Sequence, residues 1–81
     1  MAMEYRTVDR HGKGTLDLER SIHSGGAEWR NWRLVTGALP AEIAIIRRDC
    51  GNGLISHDEM KVREAAWHRA LRAARRKRRA A

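Results

Sequence analysis

Two Gly-centred segments of this chain place carboxylate, amide and hydroxyl oxygens at short, regular intervals, which is a spacing that could hold a metal ion. The first segment, 9–20, has the sequence DRHGKGTLDLER, and the second, 48–59, has the sequence RDCGNGLISHDE. Their central glycines, Gly14 and Gly53, are 53 − 14 = 39 residues apart. A repeat at such an interval indicates two copies of one supersecondary unit.

Each copy has the residues of a tight turn that leads into a helix. A glycine supplies the positive φ that a sharp reversal needs. In the second copy Ser56 and Glu59 form an S-x-x-E capping box, and in the first copy Asp17 occupies the capping place. These patterns predict one helix over residues 16–23 and another that begins after Ser56 and continues beyond Arg75.

The two segments resemble the calcium loops of the EF-hand family, in which a Gly follows three oxygen ligands and a Glu closes the loop. The resemblance implies a pair of helix-loop-helix units within residues 1–71. The matching residues are the invariant glycines Gly14 and Gly53, the apolar pairing residues Leu16 and Ile55, the ninth-place residues Asp17 and Ser56, the opening ligand Asp9 and the closing ligand Glu59.

The departures from this family concern the metal ligands. Calcium takes six to eight oxygen ligands, yet Arg20 stands at the closing place of the first loop and Arg48 at the opening place of the second. We therefore expect no cofactor and no calcium binding at physiological levels. A weak calcium sensor stays as an alternative, in which the second loop would use Asn52, Ser56 and Glu59.

Opposite charges at the first and twelfth places suggest another way to close each loop. Asp9 faces Arg20 in the first copy, and Arg48 faces Glu59 in the second. A guanidinium can make a bidentate pair with a carboxylate. We expect each loop to be closed by an internal ion pair in place of a metal.

The remaining periodicities predict more helices. Trp29, Trp32 and Val35 recur at three-residue intervals, which favours a helix over residues 27–36. Pro40 suits the first turn of the next helix, which continues to Arg48. Residues 3–8 fit either a short strand or a frayed helix.

The last helix has an apolar face, and it completes the predicted fold. The expected fold class is all-α: a small bundle of four to five short helices, with an EF-hand-like pair and a basic C-terminal helix. The apolar face consists of Met60, Trp67, Leu71 and Ala74.

Charge divides the chain into a nearly neutral body, 1–71, and a basic helical tail, 72–81. The body has eleven Lys and Arg against ten Asp and Glu, a net charge of +1, so the tail supplies +6 of the total +7. Such a cluster is typical of a surface that binds anions. Its members are Arg72, Arg75, Arg76, Lys77, Arg78 and Arg79.

These features predict a non-catalytic binding or adaptor module whose basic tail contacts an acidic partner protein. One alternative is a small nucleic-acid-binding protein that uses the same tail, and the tail could also lie on an anionic membrane surface or simply be solvated. The four histidines, at positions 11, 23, 57 and 68, lack ligand spacing, and GKG at 12–14 lacks the rest of a P-loop. We therefore expect no enzymatic activity.

Length and cysteine content set the remaining expectations. Eighty-one residues suffice for one small domain. The single cysteine, Cys50, excludes an internal disulfide and suits a reducing compartment. The chain has no apolar run of membrane-spanning length and no N-terminal signal pattern, so we expect a cytoplasmic protein.

Overall fold

A computed structural model describes residues 2–23 and 31–80 of the chain. Three strands, β1 (Ala2–Val8), β2 (Thr15–His23) and β3 (Trp32–Pro40), are followed by two helices, α1 (Ala41–Gly51) and α2 (His57–Ala80). The strands form one antiparallel sheet in the order β1-β2-β3. The chain is therefore an α+β protein, and the predicted all-α bundle of four to five helices is wrong.

The strand β2 replaces a predicted helix, because its side chains alternate with a period of two. Leu16 and Leu18 point to the sheet face that α1 covers, whereas Asp17 and Glu19 point to the opposite face. The predicted helix over 27–36 is also wrong from Trp32 onward, where β3 begins; its residues 27–30 lie outside the described part of the chain. Residues 3–8, left open by the sequence, belong to β1.

The two Gly-centred segments have different backbone surroundings. Gly12 and Gly14 have φ of +64° and +76° in the connection of the β1–β2 hairpin, whereas Gly53 has φ of +78° in the link between two helices. The positive φ predicted for Gly14 and Gly53 is confirmed. The helix-loop-helix pair is wrong, since the first segment joins two strands, and the fold is not EF-hand-like.

The helix α1 packs on one face of the sheet and contacts all three strands, while α2 contacts α1 alone among the described elements. Among the residues whose burial the structure describes, the buried apolar ones are Leu18 of β2 with Ile43 and Ala44 of α1. Trp32 of β3 and Trp67 of α2 are only half-buried.

Both helix starts follow the sequence signals. Pro40 is the residue that precedes the first turn of α1. The Ser56 hydroxyl accepts a hydrogen bond from the Glu59 backbone N–H at 3.0 Å, so Ser56 caps α2. The predicted continuation of the last helix beyond Arg75 is confirmed, and the helix passes position 72 without a break.

Candidate cationic binding surface

The C-terminal half of α2 extends away from the rest of the chain. At 1.5 Å per residue, the 24 residues of α2 span about 36 Å and the 11 residues of α1 about 16 Å, so α1 can cover less than half of α2. The Cα trace is 56 Å in its longest dimension. The half-buried residues on the face toward α1, Met60, Trp67 and Leu71, end at Leu71, and Ala74 is exposed.

The basic residues of this helix fall mainly on one side. Positions spaced by three and four residues lie on one helix face, and this rule aligns Lys61, Arg69, Arg72, Arg75 and Arg76. All five side chains are exposed. We call these five residues the cationic stripe.

The rest of the predicted tail does not lie on the stripe. Lys77 and Arg78 are exposed but point to other sides of α2, about 140° and 120° away from Arg72 at 100° per residue. Arg79 belongs to α2 and continues the spacing of the stripe, although its side chain is outside the description. Of the predicted basic cluster, Arg72, Arg75 and Arg76 therefore lie on the stripe, whereas Lys77 and Arg78 lie off it.

An ion pair joins the two helices beside the stripe. Arg47 of α1 donates from Nε and Nη2 to Glu64 Oε1, each at 3.2 Å. Glu64 precedes Trp67 and Leu71 on the face toward α1 and is 17% exposed. Because this carboxylate is paired with Arg47, it does not neutralise the stripe beside it.

The residues suggested for a weak metal site do not converge. Asn52 hydrogen-bonds to the backbone of Tyr5, Ser56 caps α2, and the Glu59 carboxylate accepts from Arg63 Nε at 2.9 Å. Within residues 2–23 and 31–80, no group of three or more His, Cys, Asp or Glu side chains is placed to hold a metal ion.

The two loop-closing ion pairs predicted from the sequence are also wrong. Asp9 Oδ1 accepts from the Gly12 backbone N–H at 3.0 Å, while Arg20 lies in the middle of β2. Arg48 Nη2 lies 3.1 Å from Asp49 Oδ1, and the partner of Glu59 is Arg63, one turn along the same helix.

A second polar cluster, which the sequence reasoning missed, covers the face of the sheet opposite α1. Both Nε and Nη2 of Arg6 lie 2.8 Å from Glu19 Oε1. Arg10 bridges the two carboxylates, with Nη2 at 2.9 Å from Glu19 Oε2 and Nη1 at 3.2 Å from Asp17 Oδ2. The guanidinium of Arg6 also stacks 4.2 Å from the ring centroid of Trp32. The alternation of Asp17, Glu19 and Ser21 with Leu16, Leu18 and Ile22 was the signal that could have revealed this face.

Hydrogen bonding shifts the pKa values in this outer cluster. The backbone N–H of Ala38, followed by His11 Nε2, donates to Asp17 and lowers the pKa of that carboxyl to about 2. Burial raises the pKa of Glu19, but hydrogen bonds from Arg6 and Arg10 outweigh it and the net shift is downward. The pKa of Arg10 is raised by the same bonds to Asp17 and Glu19.

The outer cluster is therefore internally neutralised. Two carboxylates, each only 8% exposed, are matched by the two guanidinium groups of Arg6 and Arg10. Such a network holds the β1–β2 connection against β3 and leaves little net charge for an external ligand. The cationic stripe, in contrast, has one acid on its side of α2, Asp58, three residues before Lys61, and none between Lys61 and Arg76.

Comparison of this chain with protein-family models, with curated proteins and with solved structures gives no match. Neither described helix combines the length and apolar character that crossing a membrane would require.

Proposed function

We propose that this protein is a non-catalytic nucleic-acid-binding module that attaches to the phosphate backbone through the cationic stripe of α2. The observation that carries the proposal is the alignment of five exposed cations along one side of a helix whose second half is clear of the sheet and of α1. From Lys61 to Arg76 the stripe spans about 22 Å.

The dimensions of the stripe suit a polyanion with closely spaced charges. Duplex DNA carries one negative charge per about 1.7 Å of its axis. Each guanidinium or ammonium of the stripe can neutralise one phosphate and release a counterion. A line of cations on a straight helix therefore suits a phosphate backbone better than a single compact anion.

An acidic partner protein is the weaker candidate, because the stripe lacks anchoring residues. Protein interfaces depend on a few buried aromatic or large apolar side chains together with arginine. The stripe positions hold no such side chain, and Trp67 is half-buried on the face toward α1. An acidic protein would thus be held by exposed charge pairs, which are individually weak.

A membrane surface is also less suitable as the partner. An interfacial helix needs an apolar face that enters the headgroup region. Beyond Leu71 the apolar residues of α2 are alanines only. The single cysteine, Cys50, which is a free thiol, supports a reducing compartment, and we propose the cytoplasm as the place of action.

The test is the salt dependence of binding to duplex DNA and to single-stranded RNA, measured by fluorescence anisotropy. We expect removal of three stripe charges in the variant R72Q/R75Q/R76Q to lower the slope of log K against log salt on duplex DNA by about 2 to 3. The matched control K13Q/K77Q/R78Q removes the same charge from exposed positions off the stripe, and we expect a smaller loss.

Three outcomes would overturn the proposal. Equal losses in the two triple variants would show that only net charge matters. Unchanged binding to DNA and RNA after deletion of residues 72–81 would show that the tail does not contact the nucleic acid. Competition by polyglutamate as strong as that by DNA, at equal concentration of charge, would indicate an acidic protein as the partner.

A further inference from the structure

A pair of arginines on the helix-covered side of the sheet has a local environment unlike that of the other strand arginines. Arg20 of β2 and Arg33 of β3 are direct cross-strand partners in the antiparallel register. Directly opposed side chains have Cβ atoms about 5 Å apart and point to the same face. The two guanidinium groups therefore share one patch of the sheet.

This pairing is unfavourable unless something compensates it, because like charges directly opposite each other destabilise a sheet. On the other face, Arg6 and Arg10 are compensated by Glu19 and Asp17. Among the ion pairs of residues 2–23 and 31–80, none includes Arg20 or Arg33. Three of the five acids that α1 and α2 contribute are paired with other arginines: Asp49 with Arg48, Glu64 with Arg47 and Glu59 with Arg63.

The same two arginines line a cavity of about 190 Å³. The other described residues at its wall are Ile22 of β2 and Asn31, which directly precedes β3. Each guanidinium has five N–H donors in a planar fork, and the Asn31 carboxamide adds an NH₂ group. Ile22 supplies an apolar wall, and the volume is below that of typical drug-sized pockets.

We propose that Arg20, Arg33 and Asn31 form a binding site for a phosphate group. A phosphate group has the charge and the several acceptor oxygens to use two guanidinium forks at once, whereas a carboxylate offers one charge and two oxygens. Occupancy by an anion would also remove the repulsion between the two arginines. This site does not depend on the proposed function of α2, since it lies on the sheet.

Titration with inorganic phosphate, followed by ¹H–¹⁵N NMR at constant ionic strength, tests the proposal. We expect saturable shifts of the amides of Arg20, Ile22 and Arg33, with chloride as the comparison ion. The variant R20Q/R33Q loses these shifts. The matched control K13Q/K77Q, which removes two exposed cations elsewhere, retains them.

Thermal unfolding separates a binding role from a purely structural one. Without phosphate, we expect R33Q to have a Tm equal to or above that of the wild type, because a repulsive pair has been removed. Phosphate raises the Tm of the wild type, since it binds the folded state, and leaves the Tm of R33Q unchanged. A phosphate-dependent increase of Tm in R20Q/R33Q equal to that of the wild type overturns the proposal, as do shifts that chloride reproduces.

Two further ligands identify where the phosphate group comes from. If a nucleic-acid backbone is the source, a short duplex shifts the same amides, and R20Q/R33Q binds it more weakly although the stripe is intact. If a free phosphate compound is the source, a nucleoside monophosphate shifts these amides, and duplex binding is equal in R20Q/R33Q and K13Q/K77Q. If R72Q/R75Q/R76Q loses duplex binding but retains the phosphate-induced shifts, the sheet site and the stripe are separate sites.

Discussion

The side chain of Asn52 completes the hydrogen bonding of Tyr5 in the way a neighbouring strand would. The Tyr5 backbone N–H donates to Asn52 Oδ1 at 2.7 Å, and Asn52 Nδ2 donates to the Tyr5 carbonyl at 3.0 Å. Tyr5 lies in β1, at one edge of the three-stranded sheet. One carboxamide thus satisfies part of an exposed strand edge and fixes the end of α1 against it.

Replacing Asn52 by Ala removes both hydrogen bonds, so we expect a loss of about 1 to 3 kcal/mol in the free energy of unfolding. Asn52→Asp keeps the acceptor and loses the donor, so we expect its free energy of unfolding to lie between those of the wild type and of Asn52→Ala. Hydrogen exchange should show loss of protection at the Tyr5 amide in the Ala variant. The Ala41 amide, which donates to the Gly14 carbonyl at 3.0 Å, serves as the internal reference. Equal protection of the Tyr5 amide in the wild type and in Asn52→Ala would contradict the role of Asn52 in covering this strand edge.

Gly51 allows the aromatic ring of Tyr5 to approach the end of α1. A Cβ atom at position 51 would lie 2.6 Å from Tyr5 Cε2 and 2.8 Å from Cγ, which is inside any normal contact. We expect Gly51→Ala to destabilise the fold by about 1 to 3 kcal/mol, as overpacking does. In the double variant Y5A/G51A the second substitution should cost much less. Additive costs in this double-mutant cycle, measured by urea unfolding, would show that the ring does not set the requirement for glycine.

The Asp17 carboxylate predicts a loss of stability in acid. Its pKa is about 2 in the folded protein, below the usual 3.8 that applies when the chain is unfolded. Protons therefore bind the unfolded chain more readily, and the stabilisation from this group is present above pH 4 and is lost as the pH falls from about 4 to 2. The lowered pKa of Glu19 acts in the same direction.

We expect Asp17→Asn to flatten the dependence of Tm on pH between 2 and 4. Asp58→Asn, which removes a carboxylate from the exposed first turn of α2, is the control and should keep more of the slope. If Asp17→Asn and Asp58→Asn lose stability in parallel between pH 4 and 2, Asp17 is not the source of the acid sensitivity.

The capping hydroxyl of Ser56 has a separable effect on α2. Ser56→Ala leaves the Glu59 N–H without its side-chain acceptor, and we expect a loss of about 1 kcal/mol. Ser56→Asp keeps an acceptor beside the helix N-terminus and should retain most of the stability. Helical circular dichroism during thermal unfolding measures both, and equal behaviour of the Ala and Asp variants would be inconsistent with capping.

Local signals in the sequence were sufficient for the beginnings of α1 and α2, although signals of the same kind also predicted helices over 16–23 and 27–36. Pro40 and Ser56 mark the beginnings of α1 and α2, and a run rich in Ala and Arg carries α2 to Ala80. Each of these signals acts within a turn or two of backbone, so no distant partner is needed to interpret it. The positive φ of Gly14 and Gly53 is local in the same sense.

The candidate site was only partly predictable. The sequence located the cations of the tail, and helical geometry then separates Arg72, Arg75 and Arg76 from Lys77 and Arg78. What it could not show is that α1 ends short of them and leaves them exposed. That depends on how the two helices pack, and the contact between Arg47 and Glu64 is part of that packing.

The strands were determined only by tertiary structure. The segment 15–23 follows a glycine turn and contains the capping candidate Asp17, which favoured a helix, yet its alternating faces gain their stability by pairing with β1 and β3. Cross-strand pairing joins residues far apart in the chain, so neither the opposition of Arg20 and Arg33 nor the contact between Asn52 and Tyr5 can be inferred from local pattern. The sequence by itself determined where the two helices begin, the glycine turns and the distribution of charge; the pairing of strands decided which charges are neutralised and which remain available to bind.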